Sequence, residues 1–259
     1  MNTVLALSGV VIKEMCRRKD FYVLFVLTVV ITLMMGSVNF FGDAKIARYL
    51  KDICLLLIWI SALVIAITTT ARQIPAERES RTIYPLLAKP VSRGQVILGK
   101  FLGCWLACGM ALLVFYVFFG VISGSREHAW PLLHYFQAFW LQWVMLGMVI
   151  GIVLLGSVVF TAPSSNATIT FIVVVGIITL GRHLNQVALQ QPEPLSTVVY
   201  TVYFMIPHLE WYDVRDLIIY NQNLVSWLDC GLATLYAAFY ITLLLFATGL
   251  VFRRKPLNS

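Results

Sequence analysis

Apolar residues along this chain fall into long runs without alternation, and the breaks between runs carry most of the charge. A helix needs about 20 apolar residues to cross the hydrocarbon core of a bilayer. Six windows have that character: 21–40, 53–71, 97–122, 136–160, 167–183 and 229–252. No charged residue lies between Asp20 and Asp43, and none between Lys100 and Arg126. A charge at mid-bilayer costs about 2.5–3.5 kcal/mol, so stretches this clean mark spans. Lipid offers no partner to a free amide, so the spans are helical. The expected fold is all-α: a polytopic membrane protein with six transmembrane helices, forming a single transmembrane domain over residues 1–259.

Three segments read differently from the spans. In residues 1–19, Val4, Leu5, Leu7, Val11, Ile12 and Met15 precede Lys13, Arg17, Arg18 and Lys19 or mix with them. That pattern suits an amphipathic interfacial helix. It does not suit a cleavable signal, in which the basic residues come first. Residues 184–228 contain a 12-residue apolar stretch, 195–206, closed by Pro207. As a helix it reaches about 18 Å, too short to span, so the segment is expected to be a re-entrant or interfacial piece before the last span. Lys45, Arg48 and Lys51 recur at three-residue spacing, which suits one face of a helix lying at the interface, with Ile46 and Leu50 turned differently.

Composition agrees with the pattern. Of 259 residues, 60% are apolar and 12% charged; a soluble domain carries about twice that charge. The net charge of +7 reflects basic loops rather than a nucleic-acid surface. With both termini cytoplasmic, thirteen Lys and Arg lie inside and six outside, the bias that sets orientation. Trp130, Trp140, Trp143, Trp211 and Trp227 are expected in an outer aromatic belt. Gly99-x-x-x-Gly103, Gly120-x-x-x-Gly124 and Gly147-x-x-x-Gly151 permit close helix packing.

The chemistry expected of an enzyme or a primary pump is missing. There is no Gly-rich phosphate loop, zinc motif or Gly-x-Ser-x-Gly elbow. His128, His134, His183 and His208 are scattered, and the five cysteines lack metal-ligand spacing. Cys104 and Cys108 read as packing residues, while a bridge between Cys54 and Cys230 stays open. No Asp, Glu or Lys falls deep within a window, which argues against an ion-coupled carrier. Asn166-Ala-Thr168 matches a glycosylation pattern by chance, on the expected cytoplasmic side. No cofactor is expected on this chain, and any energy must come from a partner.

The loop over 73–96 is the informative segment. Pro75 opens a helix, Glu77 and Glu79 follow where the helix dipole favours acids, and Pro85 interrupts it. Lys89-Pro90 ends the element, and Gly94 lets the chain turn into the third span. The residues alone leave two readings: a surface helix offering Leu86 and Leu87 to a protein partner, or a basic loop under anionic headgroups.

The string Glu77-Arg78-Glu79, Thr82, Leu86-Leu87-Ala88, Pro90-Val91-Ser92-Arg93 and Leu98-Gly99-Lys100 resembles the signature loop of ABC type-2 transporter permeases. Arg81 stands where that pattern has Gly, and Pro85 falls within the helix. Pro207-His208-Leu209-Glu210-Trp211, with Asp213 and Arg215, is similar to the copper-enzyme maturation and gliding-motility branch. The resemblance implies a permease subunit of an exporter in the bacterial inner membrane, paired with a second copy or a homologous permease. The first, second and fifth spans would line the pathway. A separate cytoplasmic ATPase, carrying ATP and Mg, would dock on Glu77, Glu79, Arg81, Thr82, Leu86, Leu87, Pro90 and Arg93. The competing reading is a non-transport scaffold or assembly factor presenting 184–228 to an outer-face partner. An intramembrane enzyme would need a polar cluster facing a cavity, for which His183, Asn185, His208 and Asp229 are the candidates.

Overall fold

The structure is a computed structural model describing residues 2–17, 19–37, 43–79, 92–128, 130–190, 192 and 195–254. The elements are α1 (Asn2–Arg17), α2 (Lys19–Ser37), α3 (Asp43–Ala71), α4 (Pro75–Glu79), α5 (Arg93–Glu127), α6 (Leu132–Val159), α7 (Pro163–Gln190), α8 (Leu195–Met205), a 3-10 turn (Leu209–Tyr212), α9 (Arg215–Ile219) and α10 (Trp227–Arg254). The described residues include no strand. Among them, five helices are long and apolar enough to cross a membrane, and the apolar part of α2, Phe21–Met34, is shorter. The protein is thus an all-α polytopic membrane protein.

Helix α6 is the hub. Its apolar window is 72% buried against 17% for α10, so α6 is central and α10 peripheral. Helices α3, α5, α7 and α10 pack around it. One row of α10 (Leu228, Leu232, Leu235, Phe239, Leu243, Phe246) faces outward. So does a row of α2 (Val23, Val26, Val30, Leu33). Apolar surface on this scale has no place in water and suits lipid or another helix.

Close approach depends on small residues. Gly147 and Gly151 receive Ile241 and Leu244 of α10. Gly99 and Gly103 receive not a second copy but α1, whose Leu7, Ser8 and Val11 lie on them. The Ser8 hydroxyl is 3.1 Å from the carbonyl of Gly99. Helix α1 is therefore packed on α5 along its buried Val11 and Met15, while Leu5 and Val10 point away.

Trp143 departs from the expected belt. It lies eleven residues into α6, about 16 Å from the helix start, and stacks on Trp105 of α5 at 4.6 Å and 17°. Each indole N–H donates to the other's carbonyl, at 2.9 and 3.0 Å. Gly109 makes the room, since a Cβ there would run into the Trp143 ring. An indole N–H in lipid needs an acceptor, and the facing helix supplies one. Trp143→Phe, which keeps a ring but removes the donor, is expected to cost about 1 kcal/mol. Trp143→Ala, which also empties the site, is expected to cost about 3–5 kcal/mol. Thermal unfolding in detergent reads both, and equal effects would sink the pairing.

Further corrections concern polar residues. Lys51 does not lie on an interfacial helix: α3 runs unbroken from Asp43, and Lys51 is 1% exposed. Its ammonium donates to Asn221 Oδ1 at 3.2 Å and lies 3.5 Å from the Ile218 carbonyl, which is what permits a cation there. Leu50 is buried too, so it and Lys51 are not divided between core and surface. The helix of the fifth expected span, α7, continues past the boundary at 183 to Gln190. Cys54 and Cys230 are separate buried thiols. Asn166 is fully buried, which closes it to a glycan. Its amide reaches the carbonyls of Ala71 and Val153 at 3.4 and 3.3 Å and accepts from Thr170, joining α3, α6 and α7.

Candidate functional site: the loop anchorage and the re-entrant elbow

Two polar constructions stand out, one at each end of the bundle. The first holds the loop at the end where α1 lies and α10 finishes. Chain geometry starts it: Pro75 opens α4, with Glu77 in its first turn. Glu77 Oε1 is 2.6 Å from Lys100 Nζ. That ammonium also donates to the Gln73 carbonyl at 2.9 Å, with Gln73 Oε1 at 3.4 Å. Lys100 is 3% exposed, so its charge is held by this fork rather than by water. The site thereby binds the start of the loop, beyond the second span, to the first turns of the third.

The far side of the loop is fixed as firmly. Ser92 caps α5 in a reciprocal box: Gln95 N–H donates to Ser92 Oγ at 3.3 Å and Ser92 N–H to Gln95 Oε1 at 3.0 Å. The third span, α5, thus begins at Arg93, four residues before the expected window, and Gly94 lies in its first turn instead of making a bend. Arg93 crosses to the end of α10, where Nη1 donates to the carbonyls of Phe252 and Arg253 at 2.7 and 3.1 Å. Its guanidinium also lies over the Phe252 ring, 5.5 Å from the centroid. A cation at a helix C-terminus meets the negative end of the dipole.

Of the residues expected to dock a partner, Glu77 is partly buried on Lys100, Glu79 is exposed, and Arg93 is half-buried on α10. Arg81, Thr82, Leu86, Leu87 and Pro90 lie outside the described residues. Lys100 and Gln73 were not among the expected site residues. The Ser-x-x-Gln spacing of 92–95 was a readable cap signal, whereas nothing local marks Lys100 as the partner of Glu77.

The second construction is the elbow between α8 and α10. Helix α8 folds back along α7, and the chain then enters the bundle. Glu210 lies against Gly181, where a Cβ would come within 2.5 Å of its Oε2. Glu210 Oε1 is 3.1 Å from His208 Nδ1, and both side chains are nearly buried. Arg215 holds Asp213 through two bonds at 2.7 and 2.9 Å, and its guanidinium lies 5.1 Å from the Trp59 ring centroid. Trp59 is seven residues past Asp52, about 10 Å along α3. Charges therefore do reach the apolar zone, on a re-entrant segment and as a closed pair. The elbow is pinned above by Gln137, whose amide donates to the Val225 carbonyl at 2.9 Å and accepts from the Val225 N–H at 3.2 Å. His134 of α6 lies 2.9 Å from the Gln222 carbonyl. Of the candidates for an enzymatic cluster, His183 and Asp229 are exposed and His208 is buried among aromatic rings, while the Asn185 side chain lies outside what the structure describes.

Taken together, a multi-helix apolar bundle carries an anchored loop at one end and a re-entrant polar elbow at the other. No curated protein matches the chain significantly. A family model described as ABC-2 family transporter protein matches residues 10–255, and the chain belongs to that family.

Proposed function

We propose that this ABC transporter permease is the membrane subunit of an ATP-driven exporter, coupled through residues 77–93 to a separate cytoplasmic ATPase that carries ATP and Mg. The observation that carries the reading is the double anchorage of that loop. Lys100 ties its start to α5, and Arg93 ties its end to the finish of α10. A push that reaches either described end of the loop is thereby delivered to the third and last spans. Both termini and the loop face the cytoplasm, in keeping with the distribution of Lys and Arg. Two copies, or this chain with a homologous permease, form the pathway in the bacterial inner membrane. The outward apolar rows of α2 (Val23, Val26, Val30, Leu33) and α7 (Ile169, Ile172, Val173) offer surface to a second permease.

Co-expression with the ATPase encoded nearest to this chain tests the coupling. The ATPase is expected to co-purify, and Leu86→Asp with Leu87→Asp is expected to lower its recovery at least tenfold while the permease still folds. Full recovery with both aspartates present would remove the loop as the docking site. The scaffold reading is less well supported, because Leu209 and Tyr212 of the elbow are buried in the bundle and so are not displayed to an outside partner.

A further inference from the structure

We propose that the cavity between the elbow and the first turns of α10 binds an apolar organic cation. It is an open cavity of about 430 Å³ between Leu141 of α6, Trp211 and Val225 of the elbow, and Asp229, Leu232 and Tyr236 of α10. Small-molecule sites span about 300–1,000 Å³, mostly apolar with a few placed polar groups. The walls fit that description, and charge selects the ligand. Asp229 is the only carboxylate in the lining. It stands in the first turn of α10, where the helix end supplies about half a positive charge. The full negative charge outweighs it.

The surroundings do not cancel the remainder. Arg215, the cation of the elbow, is already taken by both oxygens of Asp213. Trp211 is 53% exposed, and its ring packs on Tyr236 at 5.4 Å between centroids. Aromatic faces of this kind attract cations by about 0.5–2 kcal/mol. An anion would meet net repulsion from the Asp229 carboxylate, and a neutral apolar ligand would leave that carboxylate unused. The required chemistry is a cationic centre on an apolar body. A free amphiphilic cation and the ammonium headgroup of a lipid both supply it.

The inference concerns this chain by itself, so its test needs no ATPase and stands apart from the exporter reading. The probe is radiolabelled tetraphenylphosphonium, bound to the purified full chain in dodecylmaltoside. Saturable binding is expected, displaced by unlabelled probe but not by the similarly shaped anion tetraphenylborate. Asp229→Asn is expected to weaken binding at least tenfold. Leu232→Trp, which fills the cavity from a lipid-facing position, is expected to abolish it. Glu14→Gln, an exposed carboxylate on α1, is expected to leave it unchanged. Equal displacement by the anion, or unchanged affinity in Asp229→Asn with unaltered thermal unfolding, would overturn the proposal. Nanodiscs then separate the sources. Asp229-dependent binding that falls tenfold in phosphatidylethanolamine relative to phosphatidylglycerol assigns the cavity to a lipid headgroup; undiminished binding assigns it to a free cation.

Discussion

Lys100→Met is expected to free the loop start from the bundle and to unfold the protein at markedly lower temperature. The substitution keeps the volume but removes the donor shared by Glu77 and Gln73. Glu77 then keeps a carboxylate that is only 27% exposed, with Oε2 already lacking a partner among the described residues. Breaking one side of a buried ion pair costs about 3–5 kcal/mol. The partial exposure of Glu77 places this case near the lower end, and about 3 kcal/mol corresponds to about a hundredfold rise in the open population. Limited trypsin digestion reads the opening directly, as faster cleavage after Arg78. The decisive comparison is Glu77→Gln with Lys100→Met: removing both charges should recover most of the loss, because the penalty lies in the stranded carboxylate. If the double variant is as labile as Lys100→Met alone, the ion pair is not what holds the loop.

The same residue shows where sequence reasoning stops. The hydrophobic runs locate the five long apolar helices and the shorter apolar stretch of α2, because each helix must individually satisfy its backbone in lipid. Pro75 and Glu77 start a helix by local rules, and the structure starts α4 there. Lys100 is different. By position it is one more cation before a long apolar run, and only the return of the chain through 73–77 makes it a buried anchor. The depth of the elbow charges is not legible in the sequence for a related reason. A census taken window by window finds no deep carboxylate, since Glu210 and Asp213 arrive on a segment too short to count as a span. Trp143 was misplaced because an aromatic near a window boundary suits a belt by sequence, whereas its actual partner is an indole on another helix. The glycine spacings were readable as sites of close approach, but not the identity of the visitor. For Gly99 and Gly103 that visitor is α1 of the same chain.

That identification carries a second large effect. A Cβ at Gly103 would stand 2.7 Å from Val11 Cβ, 3.0 Å from Ser8 Cα and 3.1 Å from the Ser8 carbonyl oxygen. Two of those three atoms are backbone, so no rotamer change in α1 relieves the contact; the helix must move as a body. Overpacking in a core that can adjust costs about 1–3 kcal/mol, and here the adjustment available is to leave. Gly103→Val is therefore expected to release α1 from α5, losing the burial of Val11 and Met15 and the contact of Ser8 with Gly99. Amide exchange over residues 4–15 is expected to accelerate at least tenfold, while exchange in α6 stays slow. Gly94→Ala supplies the control: nothing lies within 4 Å of a Cβ there, and replacing a helical glycine by alanine stabilises by up to about 1 kcal/mol. Should Gly103→Val leave exchange in α1 as slow as Gly94→Ala does, the amino-terminal helix is held by something other than the glycine pair.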